Sequence, residues 1–127
     1  MFNHVFLGTN DIDKSRQFYD ATMGVLGVGG HPLPHGTAYA TADGAALVVA
    51  TPANGEAQTV SNGHTLGLKA ADYDTVEAWH AAGVAAGGTC EGEPGFRASS
   101  PGNMYGAYLR DPDGNKICAF APNVGER

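Results

Sequence analysis

The chain has 127 residues, with 43% apolar and 16% charged side chains, a composition that folds and is not that of a disordered segment. Its formal net charge of −6, with no Lys/Arg cluster, argues against a nucleic-acid partner. No apolar run approaches the ~20 residues that a membrane helix needs, and the opening Met-Phe-Asn-His-Val lacks a charged leader, so a cytoplasmic protein is expected.

In chain order, residues 3–9 alternate as a strand does. Asn10 and Asp11 can then cap a helix beginning near Ile12, in which Ile12, Tyr19, Met23 and Leu26 recur at helical spacing. The Gly- and Pro-rich segment 29–36 is expected to be loop, and 37–41 with 46–50 a hairpin turned at Asp43-Gly44. A polar connector follows. The order then repeats: a strand over 64–70, and a helix capped by Asp72 or Asp74 with Tyr73, Val76, Trp79 and Val84 inward, stopped at Gly83 or Gly87-Gly88. A short strand near 89–92, a loop over 96–103, and a hairpin of 104–110 with 116–121 across Asp-Pro-Asp-Gly complete the chain.

The repetition has a definite arithmetic. His64 lies 60 residues after His4, and Gly114 lies 70 after Gly44; the extra ten sit in the longer loop before the second hairpin. The expected organisation is one domain of two modules, 1–52 and 63–122, with a connector at 53–62 and a tail at 123–127. Neither half can bury much core alone, so the halves must pack on each other or on a partner chain. Of the two cysteines, Cys90 reads as a small buried hydrophobe, and no C-x-x-C spacing is present. His80 reads as structural or exposed, and His31 and His35 as exposed loop residues.

Side chains alternate faces along a strand. That alternation assigns His4, Phe6, Val48, His64, Leu66, Cys118 and Phe120 to a common groove face, with Tyr108 opposite Cys118 across the last hairpin. A slip of one residue would reverse the face.

The pattern His4-Val-x-Leu-x-x-x-Asp11, followed by Ser15-x-x-Phe-Tyr19, resembles the opening of vicinal oxygen chelate proteins, the superfamily of glyoxalase I, bleomycin-resistance proteins and extradiol dioxygenases. The segment Tyr108-Leu-Arg-Asp-Pro-Asp-Gly-Asn-Lys-Ile117 resembles that family's closing hairpin, and His64 the start of its second module. The resemblance implies an α+β fold of two βαβββ modules forming an open, cupped eight-stranded sheet, in a protein that is often a homodimer. It also implies a divalent metal held by positions such as His4 and His64 with carboxylates from the last strand of each module. Here those carboxylate positions fall on Val48 (or Val49) and Cys118, so the donor set becomes His4, His64 and Cys118, which suits zinc with an open position. Glyoxalase-type proton transfer needs a carboxylate base beside the metal, and both expected carboxylates are replaced. The function expected is small-molecule binding in the cleft between modules, either as a diverged lyase-type enzyme or as a metal-free, bleomycin-resistance-like sequestering protein. Phe6, Leu66 and Phe120 would wall such a pocket, Tyr105 and Tyr108 supply hydroxyls, and Arg97 close over an anionic group. The negative net charge gives slight support to a basic ligand.

Overall fold

The computed structural model describes residues 1–127. The first half runs β1 (His4–Gly8), α1 (Ile12–Val25), β2 (Gly30–Leu33), β3 (Gly36–Ala40) and β4 (Ala46–Ala50); the second runs β5 (Leu66–Lys69), α2 (Tyr73–Ala85), β6 (Thr89–Phe96), β7 (Tyr105–Arg110) and β8 (Lys116–Ala121). The strand orders are β1-β4-β3-β2 and β5-β8-β7-β6, and in each sheet the first strand runs parallel to the last. The βαβββ unit is thus present twice. Its eight strands form two four-stranded sheets, with no ladder joining β1 to β5.

Both helices begin on an aspartate. The Asp11 carboxylate accepts from the Lys14 N–H, and the Asp72 carboxylate from the Thr75 N–H. Each cap satisfies a donor that the first helical turn leaves free, worth about 1 kcal/mol. Gly83 does not stop α2. It lies buried inside the helix, where a Cβ would stand 2.3 Å from Leu109 Cδ1 and 3.2 Å from side-chain atoms of both Phe18 and Thr22. It is the close-approach point of the two helices. Val84, next to it, is 47% exposed and not inward; the turn comes at Gly87, with φ +103°.

Two stretches are more strand-like than their composition suggests. Residues 30–33 form a strand despite Pro32, because β2 is the outer strand of its sheet and an edge tolerates a residue without an N–H. β6, expected to be short, runs from Thr89 to Phe96 with two register shifts against β7. Such bulges let an edge strand continue past glycines and a proline by giving up some pairs.

A single buried cluster joins the halves: Phe18, Tyr19 and Met23 of α1 belong to the same core as Val76 and Trp79 of α2 and Leu109 and Ile117 of the second sheet. The turn between β7 and β8 seals one end. Asp111 accepts from the Tyr19 hydroxyl (2.6 Å), the Asn115 backbone N–H (2.8 Å) and the Asn115 side-chain amide (2.9 Å). Asn115 in turn donates to the Gly8 carbonyl, while Asp113 accepts from the Thr9 hydroxyl and the Asn10 N–H. The Asp-Pro-Asp-Gly-Asn motif is therefore a clamp from the second hairpin onto the start of α1. Burial raises the Asp111 carboxyl above its ordinary range in spite of these donors. The Tyr19 hydroxyl is pushed well up, first by burial and then by the Asp111 charge.

Candidate functional site

Paired residues on neighbouring strands share a face, so the register identifies what each sheet turns away from its helices. In the first sheet Phe6 pairs with Val48 and Val48 with Ala38, while His4 pairs with Ala46 and Ala46 with Ala40. In the second, Lys116 pairs with Arg110, Cys118 with Tyr108 and Gly67, and Phe120 with Gly106 and Lys69. The opposite faces carry the fully buried Val49 of the first sheet and Leu109, Ile117 and Ala119 of the second.

The helix-free face of the second sheet is built around Tyr108. The Phe120 ring meets it edge-on at 5.6 Å. The Arg97 guanidinium carbon lies 5.6 Å from the Tyr108 ring centre and the Lys116 ammonium 5.1 Å from it, both within cation–π range. Arg97, just past β6, is held by donating to the Gly95 and Glu93 carbonyls at 3.0 and 2.6 Å. Glycines make room for these groups. At Gly106 a Cβ would come within 2.6 Å of the Phe120 ring, and at Gly92 within 3.1 Å of Arg97 Nη2 and 3.2 Å of Tyr108 Cδ2.

Four of the chain's seven basic side chains, Lys69, Arg97, Arg110 and Lys116, belong to this face. Only Arg110 has a carboxylate partner, Glu91 at 3.1 Å. That contact holds the Glu91 carboxyl below its usual range. The local charge is thus opposite in sign to the net charge. Beside this face a cavity of about 330 Å³ is lined by Ser61, Asn62, His64, Arg110 and Lys116 among others.

The sequence-derived metal set is not assembled within the chain. His4 is exposed, bonded through Nδ1 to the Asn3 side chain (2.8 Å), and lines an apolar cavity of about 190 Å³ with Phe2, Met23, Tyr39 and Leu68. His64 lines different cavities, with Phe6 and Gly8 in one and Arg110 in another. Cys118 is on the helix-free face but buried, and burial pushes its thiol up to about 11, the reverse of what a metal-ligating thiolate needs. The only three His, Cys, Asp or Glu donors that approach within 4.8 Å of one another are His80, Cys90 and Glu93. The residues at the resemblance-implied positions therefore do not fit a common ion in this arrangement.

Two further residues need correcting. Leu66 is not on the helix-free face: β5 starts at Leu66, which pairs with the buried Ile117 and packs against the core, although it also lines the apolar cavity beside His4. His64 lies before the strand, its N–H bonded to the Ser61 carbonyl in a turn, so strand alternation does not carry across from it. Tyr105 shares the helix side with Ala107 and Leu109; its ring packs on Tyr73 and Phe96, and its hydroxyl donates to Glu77. Phe6, half-exposed, lies on the helix-free face of the first sheet, and Tyr108, Phe120 and Arg97 cluster on that of the second. Sequence reasoning missed Lys116, although alternation with Cys118 and Phe120 already placed it there.

Comparison with known proteins agrees with this architecture. The sequence model for the Glyoxalase/Bleomycin resistance protein/Dioxygenase superfamily matches residues 1–119. Among solved structures, a glyoxalase/bleomycin resistance protein from Albidiferax ferrireducens T118 is 46% identical, with a TM-score of 0.89 over 97% of this chain and 99% of that one. A glyoxalase-related enzyme from Fulvimarina pelagi shares the fold at 21% identity, with a TM-score of 0.76 over 98% and 92% of the two chains. Lactoylglutathione lyase from Agrobacterium tumefaciens does so at 20% identity, with a TM-score of 0.65 over 95% and 92%. The comparison with curated proteins gives no match.

Proposed function

The chain belongs to the glyoxalase/bleomycin resistance protein/dioxygenase superfamily, and from that premise we propose that it binds a small anionic aromatic molecule on the helix-free face of its second module. The observation that carries this reading is the pair of cations at one aromatic ring: Arg97 and Lys116 both lie against Tyr108, and neither has a carboxylate partner. An aromatic ring would pack on Tyr108 and Phe120, and its anionic group would meet Arg97 and Lys116. Arg97 is already fixed by two carbonyls, so little side-chain freedom is lost on binding. Hydrogen bonds to charged groups contribute about 1.5–3 kcal/mol each.

Binding without turnover is the form this proposal takes. Proton abstraction next to a carbonyl needs a free base of suitable pKa within reach. The carboxylate bonded to a side chain of this face, Glu91, is paired with Arg110 and held in its weakly basic form. Cys118 remains a neutral thiol at pH 7. A second copy of the chain is the proposed cover for the exposed Phe2 and Phe6 of the first module, and light scattering at micromolar concentration tests it by giving a dimer mass.

The ligand class is tested by isothermal titration with phenyl phosphate, phenol and benzylammonium. Phenyl phosphate is expected to bind, with affinity falling as salt rises and dropping about 10- to 100-fold in Arg97→Ala or Lys116→Ala, the loss of one charged contact. Tighter binding of benzylammonium, or phenol binding as well as phenyl phosphate, would overturn it.

A further inference from the structure

A different cluster lies at the edge of the same sheet, on the helix side. His80, in α2, is 7% exposed, and Nε2 of its ring points at the Cys90 sulfur 3.2 Å away. Cys90 Sγ lies 3.6 Å from Glu93 Oε1, and all three donor atoms fall within 4.8 Å of one another. In a regular strand Cys90 and Glu93, an odd number of residues apart, would face opposite sides. The register shifts of β6 between Cys90 and Gly92 and between Gly92 and Gly95 break that alternation and bring both donors to one side. Cys90 pairs with the buried Leu109, which sets that side as the one under α2.

We propose that His80, Cys90 and Glu93 form a binding site for one zinc-class divalent ion at the α2–β6 edge. Zinc takes nitrogen at about 2.0 Å, thiolate sulfur at about 2.3 Å and carboxylate oxygen at about 2.0 Å, in tetrahedral geometry, which sets N···S and S···O separations of about 3.5 Å. The observed 3.2 and 3.6 Å bracket that spacing, and the His80–Glu93 pair closes within 4.8 Å, so small side-chain adjustments would complete the set. His80 is more than nine-tenths buried, and within the protein its ring is bonded only to the Cys90 thiol. Binding would transfer the Cys90 proton to solvent, leaving thiolate and carboxylate to balance the two positive charges of the ion. Cys90 and Glu93 are exposed, so the fourth position opens to water. Of the metals such donors accept, a mixed imidazole, thiolate and carboxylate set favours zinc over magnesium or calcium.

The test is titration of the reduced, tag-free full chain with cobalt(II) chloride as a spectroscopic stand-in for zinc. One equivalent is expected to bind with a thiolate-to-cobalt charge-transfer band that zinc chloride then removes. Cys90→Ser is expected to abolish the band, and Glu93→Gln, an exposed change that leaves the core alone, to weaken binding about tenfold or more. Cys118→Ser is expected to leave the band intact. No band in the wild-type chain, a band that survives Cys90→Ser, or one lost in Cys118→Ser would overturn the site.

Discussion

The helix-free faces of the two modules share a backbone and differ in chemistry. Phe6, Val48 and Ala38 line up across β1, β4 and β3, and Gly67, Cys118 and Tyr108 line up across β5, β8 and β7. The faces turned towards the helices are alike, with Leu7, Leu47 and Val49 in one and Leu109, Ile117 and Ala119 in the other. The first helix-free face holds alanines, Val48, Phe6 and no lysine or arginine, whereas the second carries four cations, two of them at the Tyr108 ring. Packing demands that the helix side stay apolar in both copies. The other side is free of that demand, and there the copies have come apart.

The hairpin turns differ in the same sense, and that gives the largest expected effect. By the repeat, Thr41 stands where Asp111 stands. Thr41 is exposed, bonded only within its own turn, while Asp111 satisfies Tyr19 and Asn115 in the interior. Orphaning a buried donor costs about 1–3 kcal/mol, and Asp111→Ala orphans more than one. It should therefore lower the denaturant midpoint severely, while Thr41→Ala leaves it nearly unchanged; equal effects would break the asymmetry. Next is the helix crossing. Counted from their caps, Thr22 and Gly83 are equivalent, and they face each other. Gly83→Ala forces a methyl against Leu109 and should cost about 1–3 kcal/mol in chemical denaturation, against a smaller loss for Thr22→Ala, which only removes atoms.

On the ligand face, Gly106→Ala should displace the Phe120 ring and weaken phenyl phosphate binding several-fold with little change in stability, since that ring is partly solvent-exposed. Unchanged affinity would remove Phe120 from the site. The smallest effect concerns the thiols. Cys118 has its thiol raised from 9.0 to about 11 by burial, so the folded state keeps the proton that an unfolded chain loses. Its stabilising contribution is complete below pH 9 and fades as pH rises towards 11. At pH 7.5, iodoacetamide should label exposed Cys90 well before Cys118, as read by intact mass; the reverse order would place Cys118 in a different environment.

Much of the fold was legible because it depends on local signals. The aspartate caps, the Asp-Gly turns and the alternation in β8 located α1, α2 and both hairpins, and put Tyr108 opposite Cys118 as the register has it. Leu66 was misplaced because the strand was started at His64, and the turn closed by the Ser61 carbonyl resets the alternation. Tyr105 and Tyr108 are separated by an odd spacing, so both could not line one face; alternation alone rules one of them out. The two histidines do not meet within one chain, where they line different cavities. Equivalent positions in a duplicated chain meet only if the modules dock that way, and no local pattern encodes the docking. The His80, Cys90 and Glu93 cluster was out of reach as well, because it depends on bulges in β6 that depend in turn on β7.

The second module's face, not the first, is the one proposed to hold a ligand. Backbone amide chemical shifts recorded during a phenyl phosphate titration test this most directly. The prediction is saturable shifts concentrated at Arg97, Tyr108, Lys116 and Phe120, weakening with added salt, and none at Phe6, Ala38 or Val48. Shifts centred on the first module, or none at all at millimolar phenyl phosphate, would contradict it.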